Sequence, residues 1–87
     1  MPFIQELLRV VGDKLMAKNI QLLDVVALTA DLPEKGLLRG QVGTVVESLA
    51  DGVHEVEFSD DEGRTYAQLA LPDTQLLVLH YQPQRAA

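Results

Sequence analysis

Residues 40–58 read GQVGTVVESLADGVHEVEF, two apolar-rich runs joined by Asp51-Gly52. Asp-Gly between such runs is a strong signal for a two-residue type I′ turn, whose twist matches that of the flanking strands. In the second run, glutamates alternate with Val56 and Phe58, as charged and apolar residues do along a strand that is buried on one side. This stretch therefore predicts a β-hairpin. One face of its second strand carries His54, Val56 and Phe58, and the other carries Glu55, Glu57 and Ser59.

The segments around the hairpin predict three more strands. LLDVVALTADL has the β-branched content of a strand at about residues 23–30, and LPEKGLLRG then forms a loop with Leu37 or Leu38 turned inward. After the hairpin, the sequence DDEG predicts a second turn, with Gly63 at positive φ, that leads into TYAQLAL at residues 65–71. Pro72 ends that strand, residues 73–75 can form one helical turn, and LLVLHY is a fifth strand.

Five short strands in so small a domain favour a strongly bent barrel, because two full packed sheets would need more chain. The fold class expected is thus mainly β: a five-stranded SH3-like small barrel with an N-terminal amphipathic helix. In this scheme residues 1–20 are a helical extension, residues 21–80 the barrel and residues 81–87 a disordered tail. The expected core of the barrel is Val26, Leu28, Val45, Val56, Phe58, Leu69 and Leu77.

The helix is predicted at about residues 3–17, and its apolar residues recur at helical spacing. This stripe either packs on the domain behind it or joins a second copy or another protein, which makes a homodimer through the helix one possibility. A third reading is that Met16 is the natural start and the residues before it are an extension. The stripe consists of Ile4, Leu7, Leu8, Val11 and Leu15.

Charge, cysteine content and hydropathy restrict the classes of function. Residues 21–80 carry eleven acidic side chains against Lys35, Arg39 and Arg64, so the expected barrel is strongly negative. Nucleic acid binding is not expected, because it needs clustered Lys and Arg. The chain has no cysteine and no apolar run near the length that spans a bilayer, so we expect a cytoplasmic protein that does not bind membranes.

One resemblance supports these expectations. The succession DVVAL, LPEKGL, RGQVGTVVE, EVEF and RTYA, within residues 22–79, resembles a family of small bacterial proteins of unknown function. More distantly, the pairing of RGQVGTVVE with EVEF is similar to the SH3-like barrels of the nitrile hydratase β chain and of the small photosystem I accessory subunit. The resemblance implies an accessory or docking barrel without chemistry of its own, and it implies no catalytic or cofactor-binding residues.

The candidates for chemistry are weak. His54 and His80 each lie near a strand end, and the rim of the barrel is a commoner place for His54 than a general-base role. Gly36, Gly40 and Gly43 do not form a dinucleotide fingerprint. Gly40 and Gly43 are better explained by a loop exit and by a bulge or a close approach of strands. The acidic cluster at residues 57–62 lacks the ligand register of a calcium loop, so a solvated turn is the commoner reading.

We therefore expect a non-enzymatic protein interaction or accessory module without cofactor or metal. The alternative is an antitoxin or inhibitor that neutralises a basic partner enzyme; a metal-binding or enzyme subunit is a weaker third reading. Arg64 and Tyr66 combine with the acidic residues into a mixed patch of the kind found at interfaces, although a cross-strand pair or a surface that only aids solubility would look the same. The candidate partner-binding residues are Glu55, Glu57, Asp60, Asp61, Glu62, Arg64 and Tyr66.

Overall fold

The computed structural model describes residues 19–83, which form one five-stranded antiparallel sheet. The strands are β1 (Val25–Leu28), β2 (Val42–Ala50), β3 (Val53–Ser59), β4 (Thr65–Pro72) and β5 (Leu76–Val78). Their order across the sheet is β4-β3-β2-β1-β5, so β4 and β5 lie at opposite edges. The predicted five-stranded, mainly β fold is confirmed, but the predicted closure into a barrel is not, because β4 and β5 do not pair and the sheet stays open. The predicted N-terminal helix lies outside the described residues.

Short 3₁₀ helices and turns connect the strands. Pro33–Lys35 forms the first 3₁₀ helix in the loop between β1 and β2, and Gly36 follows it at φ +68°. Asp73–Gln75 forms the second, which confirms the predicted single turn between β4 and β5. The turn between β3 and β4 has Gly63 at φ +80°, as the sequence predicted.

The Asp51-Gly52 turn joins β2 and β3 as predicted, but its predicted type is wrong. A type I′ turn needs positive φ at both central residues, whereas here Gly52 is at φ +73° and Asp51 is not in that region. The pairing register shifts twice along the hairpin, between Val45 and Glu47 and between Ser48 and Ala50. Bulges at these shifts accommodate the twist of the strands.

The core lies on the inner face of the sheet. Of the seven predicted core residues, five are buried and Leu69 is partly buried against them. Leu77 is 54% exposed, and Leu76 is fully buried in its place, so the predicted orientation of β5 is wrong by one residue. Leu37, not Leu38, is the loop leucine that turns inward. The core cluster is Val26, Leu28, Leu32, Leu37, Val45, Val56, Phe58, Leu71 and Leu76.

Gly43 lets β2 approach β3 closely. A Cβ at this position would lie 2.7 Å from Cγ1 of Val56 and 2.9 Å from the carbonyl oxygen of Glu57. The second atom belongs to the backbone and cannot rotate away. This confirms the prediction that a close approach of strands requires Gly43, and it keeps Val56 and Phe58 tightly enclosed.

Candidate functional site: the acidic outer face

The outer face of the sheet carries three glutamates on two neighbouring strands. The alternation of β3 turns His54, Val56 and Phe58 inward and leaves Glu55 and Glu57 on the outside, as predicted. Glu47 of β2 pairs directly with Glu55. We call Glu47, Glu55 and Glu57 the acidic outer face.

Within the part of the chain that the structure describes, no cation is paired with the charges of this face. Like charges directly opposite each other on antiparallel strands are destabilising, so the Glu47–Glu55 pair costs stability. Glu55 accepts one hydrogen bond, from Nε2 of Gln68 at 3.3 Å. Within residues 19–83, none of the three glutamates forms an ion pair. The face therefore presents uncompensated negative charge to solvent.

The neighbouring turn between β3 and β4 is held together by its own polar groups. Asp60 accepts hydrogen bonds from the backbone N–H groups of Glu62 and Arg64, each at 2.9 Å, and from Nε of Arg64 at 3.1 Å. The backbone N–H of Arg64 is the main reason that the pKa of Asp60 lies below its ordinary value. Arg64 also contacts Glu62 at 3.1 Å, and Asp61 is exposed. Asp60, Glu62 and Arg64 thus stabilise the turn.

Tyr66 lies apart from the other candidate residues. Its ring packs against Phe58, with ring centroids 6.3 Å apart, and Phe58 faces the core. Its hydroxyl oxygen accepts a hydrogen bond from Nε2 of Gln41, just before β2. Tyr66 thus contacts Phe58 and Gln41, while Glu55 and Glu57 lie on the outer face of β3 and the acidic turn follows the end of that strand.

Glu47 belongs to the acidic outer face but is absent from the set predicted by sequence. If β2 and β3 paired without a bulge from the Asp51-Gly52 turn onward, Glu47 would lie opposite Val56, among the inward residues. The register shift between Ser48 and Ala50 moves it opposite Glu55 instead. Bulges leave no simple signal in the sequence, so the register could not be derived from alternation and turn position alone.

His54 and Asp73 form a second polar contact that the sequence did not reveal. Nε2 of His54 lies 2.5 Å from Oδ1 of Asp73, and His54 is 5% exposed. When the Asp73 carboxylate is ionised it can only accept, so Nε2 of His54 is then the donor. Nδ1 of His54 is buried without a hydrogen-bond partner. The contact ties the second 3₁₀ helix to β3, and His54 belongs to the packed interior of that end of the sheet.

The described residues offer no cluster of metal ligands around these groups. Within residues 19–83, no three His, Asp or Glu side chains are arranged to hold a metal ion. His80 lies with Asn19, Gln21, Asp24 and Val78 along an open cleft beside β5. No helix in this part of the chain is long and apolar enough to cross a membrane.

Comparison with known proteins identifies the family. Neither a search of curated proteins nor a search of solved structures gave a match. The model of one protein family, described as a domain of unknown function (DUF4926), matches residues 22–78, which include all five strands. This match supports the predicted resemblance to a family of unknown function over residues 22–79, whereas the bacterial origin and the SH3-like barrel stay predictions. The chain belongs to the DUF4926 family of domains of unknown function.

Proposed function

We propose that this protein is a non-enzymatic interaction module that binds a basic surface of a partner protein through its acidic outer face. The observation that carries the proposal is the direct pairing of Glu47 with Glu55, beside Glu57, without a cation from the described residues. Such a pair is unfavourable for folding alone. A partner that presents Arg or Lys would relieve the repulsion on binding.

In this proposal the open sheet is a bent, SH3-like small barrel. The strand order β4-β3-β2-β1-β5 and the 3₁₀ helix between β4 and β5 support this fold. The hydrogen bond from Gln41 to Tyr66 adds to the support, because it joins residues on the two sides of β3 beside Phe58. In the related barrels that the sequence resembles, the barrel is an accessory or docking element.

A non-enzymatic role fits how the reactive side chains are used. His54 is buried and bonded to Asp73, and Asp60 accepts three hydrogen bonds within its turn. These groups stabilise local structure, which accounts for their geometry without a reaction. The proposal places the protein in the bacterial cytoplasm. Proteins there rarely contain disulfides, which is consistent with a chain that has no cysteine.

The alternative, an inhibitor or antitoxin that neutralises a basic enzyme, would use the same face. It differs in the identity of the partner and in the result of binding. An enzyme partner that loses activity in the complex would establish the alternative, whereas one that remains active would favour an accessory module.

The proposal is tested by affinity capture from the native cell with three proteins: the unchanged chain, Glu57→Lys and Glu34→Lys. Both substitutions change the net charge equally, but Glu34 lies in the first 3₁₀ helix, away from the acidic outer face. We expect a basic protein to be captured by the unchanged chain and by Glu34→Lys, and to be lost or strongly reduced with Glu57→Lys.

Kinetics with the purified partner provide the second measurement. The Glu57→Lys substitution should slow association, and the difference from Glu34→Lys should shrink as salt screens the charges. Equal association rates for the two folded variants would exclude the acidic outer face as the binding surface.

A further inference from the structure

Strands β1 and β5 are apolar on both faces, unlike β3. The sequence of β1 is VVAL, and β5 with the residue after it reads LLVL, whereas glutamates occupy the outward positions within β3. A strand that is apolar without alternation is typical of a strand covered on both sides. The core covers the inner side of β1 and β5, so their outer side needs a second cover.

The strand register assembles the outward residues into one patch. Ala27 pairs with Val42 on one side and with Leu77 on the other. Val25 lies two residues before Ala27 on the same face. The backbone N–H of Leu79 donates a hydrogen bond to the carbonyl oxygen of Val25, at 2.8 Å. Val42 is 45% exposed and Leu77 is 54% exposed, whereas Ala27 between them is only 7% exposed. The apolar outer patch consists of Val25, Ala27, Val42, Leu77 and Leu79.

The described chain begins near β5, the edge strand whose outward residues belong to this patch. Asn19 and Gln21 line the open cleft together with Val78 and His80, and Ile20 packs against the core. The residues before Asn19 therefore join the domain next to β5. They can reach the apolar outer patch without a long connection.

The sequence of this N-terminal segment is suited to such a surface. The helix predicted at residues 3–17 would be roughly 22 Å long. The three strands of the patch span about 10 Å between their outer axes, so a helix of this length is long enough to cross all three. Its apolar stripe includes Leu8 and Val11, and residues 1–18 carry a net charge of +1. The sheet beside the patch carries the acidic outer face, so the charges of segment and sheet are complementary.

We propose that residues 1–18 dock on the apolar outer patch of their own chain, with the stripe of Ile4, Leu7, Leu8, Val11 and Leu15 against β1, β2 and β5. The segment thereby covers one half of the outer face and leaves the acidic half accessible. Its entry beside β5 favours the intramolecular contact, because a tethered segment has a high effective concentration at the patch.

Cross-linking of introduced cysteines tests this docking, and the absence of native cysteine makes the labelling specific. One full-length variant carries Leu8→Cys with Leu77→Cys, and the matched control carries Leu8→Cys with Leu49→Cys. Leu49 is 46% exposed but lies near the turn between β2 and β3, outside the patch. With a short bismaleimide we expect the first pair to form an intramolecular cross-link about tenfold faster than the control.

Two outcomes would overturn the proposal. Equal cross-linking rates for the two pairs would show that the segment does not rest on the patch. A product of twice the monomer mass from the first pair, at protein concentrations where the control stays monomeric, would assign the patch to a second copy.

Methyl NMR signals provide an independent measurement without cysteine. The substitutions Leu8→Ser and Val11→Ser should shift the signals of Val42 and Leu77 while leaving Val56 in the core unchanged. A control with Glu6→Ser and Arg9→Ser keeps the net charge and alters the opposite side of the predicted helix, so Val42 and Leu77 should not shift. Unchanged patch signals in the first variant would contradict docking.

Discussion

Single residues in this small domain have large and separable roles. Phe58 fills the centre of the core, and its ring is covered by Tyr66 and enclosed by the approach of β2 at Gly43. Asp60, only two residues later, is a turn residue whose carboxylate holds backbone groups. Two residues apart, at the end of β3, Phe58 therefore stabilises the fold by packing and Asp60 stabilises the turn by hydrogen bonds.

Replacement of Phe58 by alanine should be among the most destabilising changes. A buried Phe→Ala change loses transfer free energy and leaves a cavity, so the free energy of unfolding should fall by about 3–5 kcal/mol. Chemical denaturation of Phe58→Ala and of Glu57→Ala, its outward neighbour, measures the difference. Equal free energies of unfolding for the two variants would contradict this prediction, because they would mean that the core repacks around the introduced alanine without losing stability.

The acid titration of Asp60 should depend on the backbone more than on the Arg64 side chain. Because the folded pKa of Asp60 is lowered, its ionisation stabilises the fold at neutral pH, and this contribution is lost as the pH falls below the ordinary value of 3.8. NMR titration of the Asp60 carboxyl should give a lowered pKa in the unchanged chain and, to a slightly smaller extent, in Arg64→Ala. A return to the ordinary pKa in Arg64→Ala would show that the ion pair dominates.

At the scale of strands and helices, sequence patterns succeeded where one face alone is buried. The alternation in β3 correctly oriented His54, Val56 and Phe58, whereas the unbroken apolar run LLVL gave no alternation and led to the wrong face for Leu77. The hairpin was predicted, but its bulges and turn type were not, so the opposition of Glu47 and Glu55 remained hidden. These features depend on pairing between strands, which local patterns do not encode.

The second 3₁₀ helix is fixed to the hairpin through Asp73. Its backbone N–H donates to the carbonyl of Gly52 at 2.8 Å, while its carboxylate bonds to buried His54. Asp73→Ala would leave both ring nitrogens of His54 without a protein partner, so we expect a loss of about 1–3 kcal/mol in the free energy of unfolding. The control is Asp61→Ala, at an exposed position in the other turn, which should change stability little.

Hydrogen exchange locates the effect of Asp73→Ala. The amides around the turn between β2 and β3 should exchange faster, while those of β1 should be less affected. Uniform acceleration across the sheet, or stability equal to that of Asp61→Ala, would contradict the role of Asp73 as a local tie.

For the whole molecule, the distribution of charge and apolar surface limits its partners. The acidic side chains outnumber the basic ones along residues 21–80, and Arg64 is already paired with Asp60 and Glu62. We expect no change in fluorescence anisotropy when labelled duplex or single-stranded oligonucleotides are mixed with the protein at physiological salt. Micromolar binding that weakens steeply with added salt would contradict this expectation.

The final prediction concerns a shortened chain that begins at Met16. The core cluster of the described residues lies within residues 26–76 on the inner face, with Ile20 packed against it, so we expect the sheet to fold without residues 1–15. The shortened chain should keep β-rich circular dichroism and a cooperative thermal transition. If residues 1–18 cover the apolar outer patch, however, their partial removal should increase self-association, because Val42 and Leu77 would lose their cover.

Sedimentation over a range of concentrations distinguishes these effects, and Leu77→Ser in the shortened chain provides the control. That substitution should reduce self-association while the circular dichroism stays the same, because Leu77 lies outside the core. An unfolded shortened chain would show that the N-terminal residues complete the core. A folded shortened chain that stays monomeric at all concentrations would show that the patch tolerates solvent and needs no cover from the N-terminal segment.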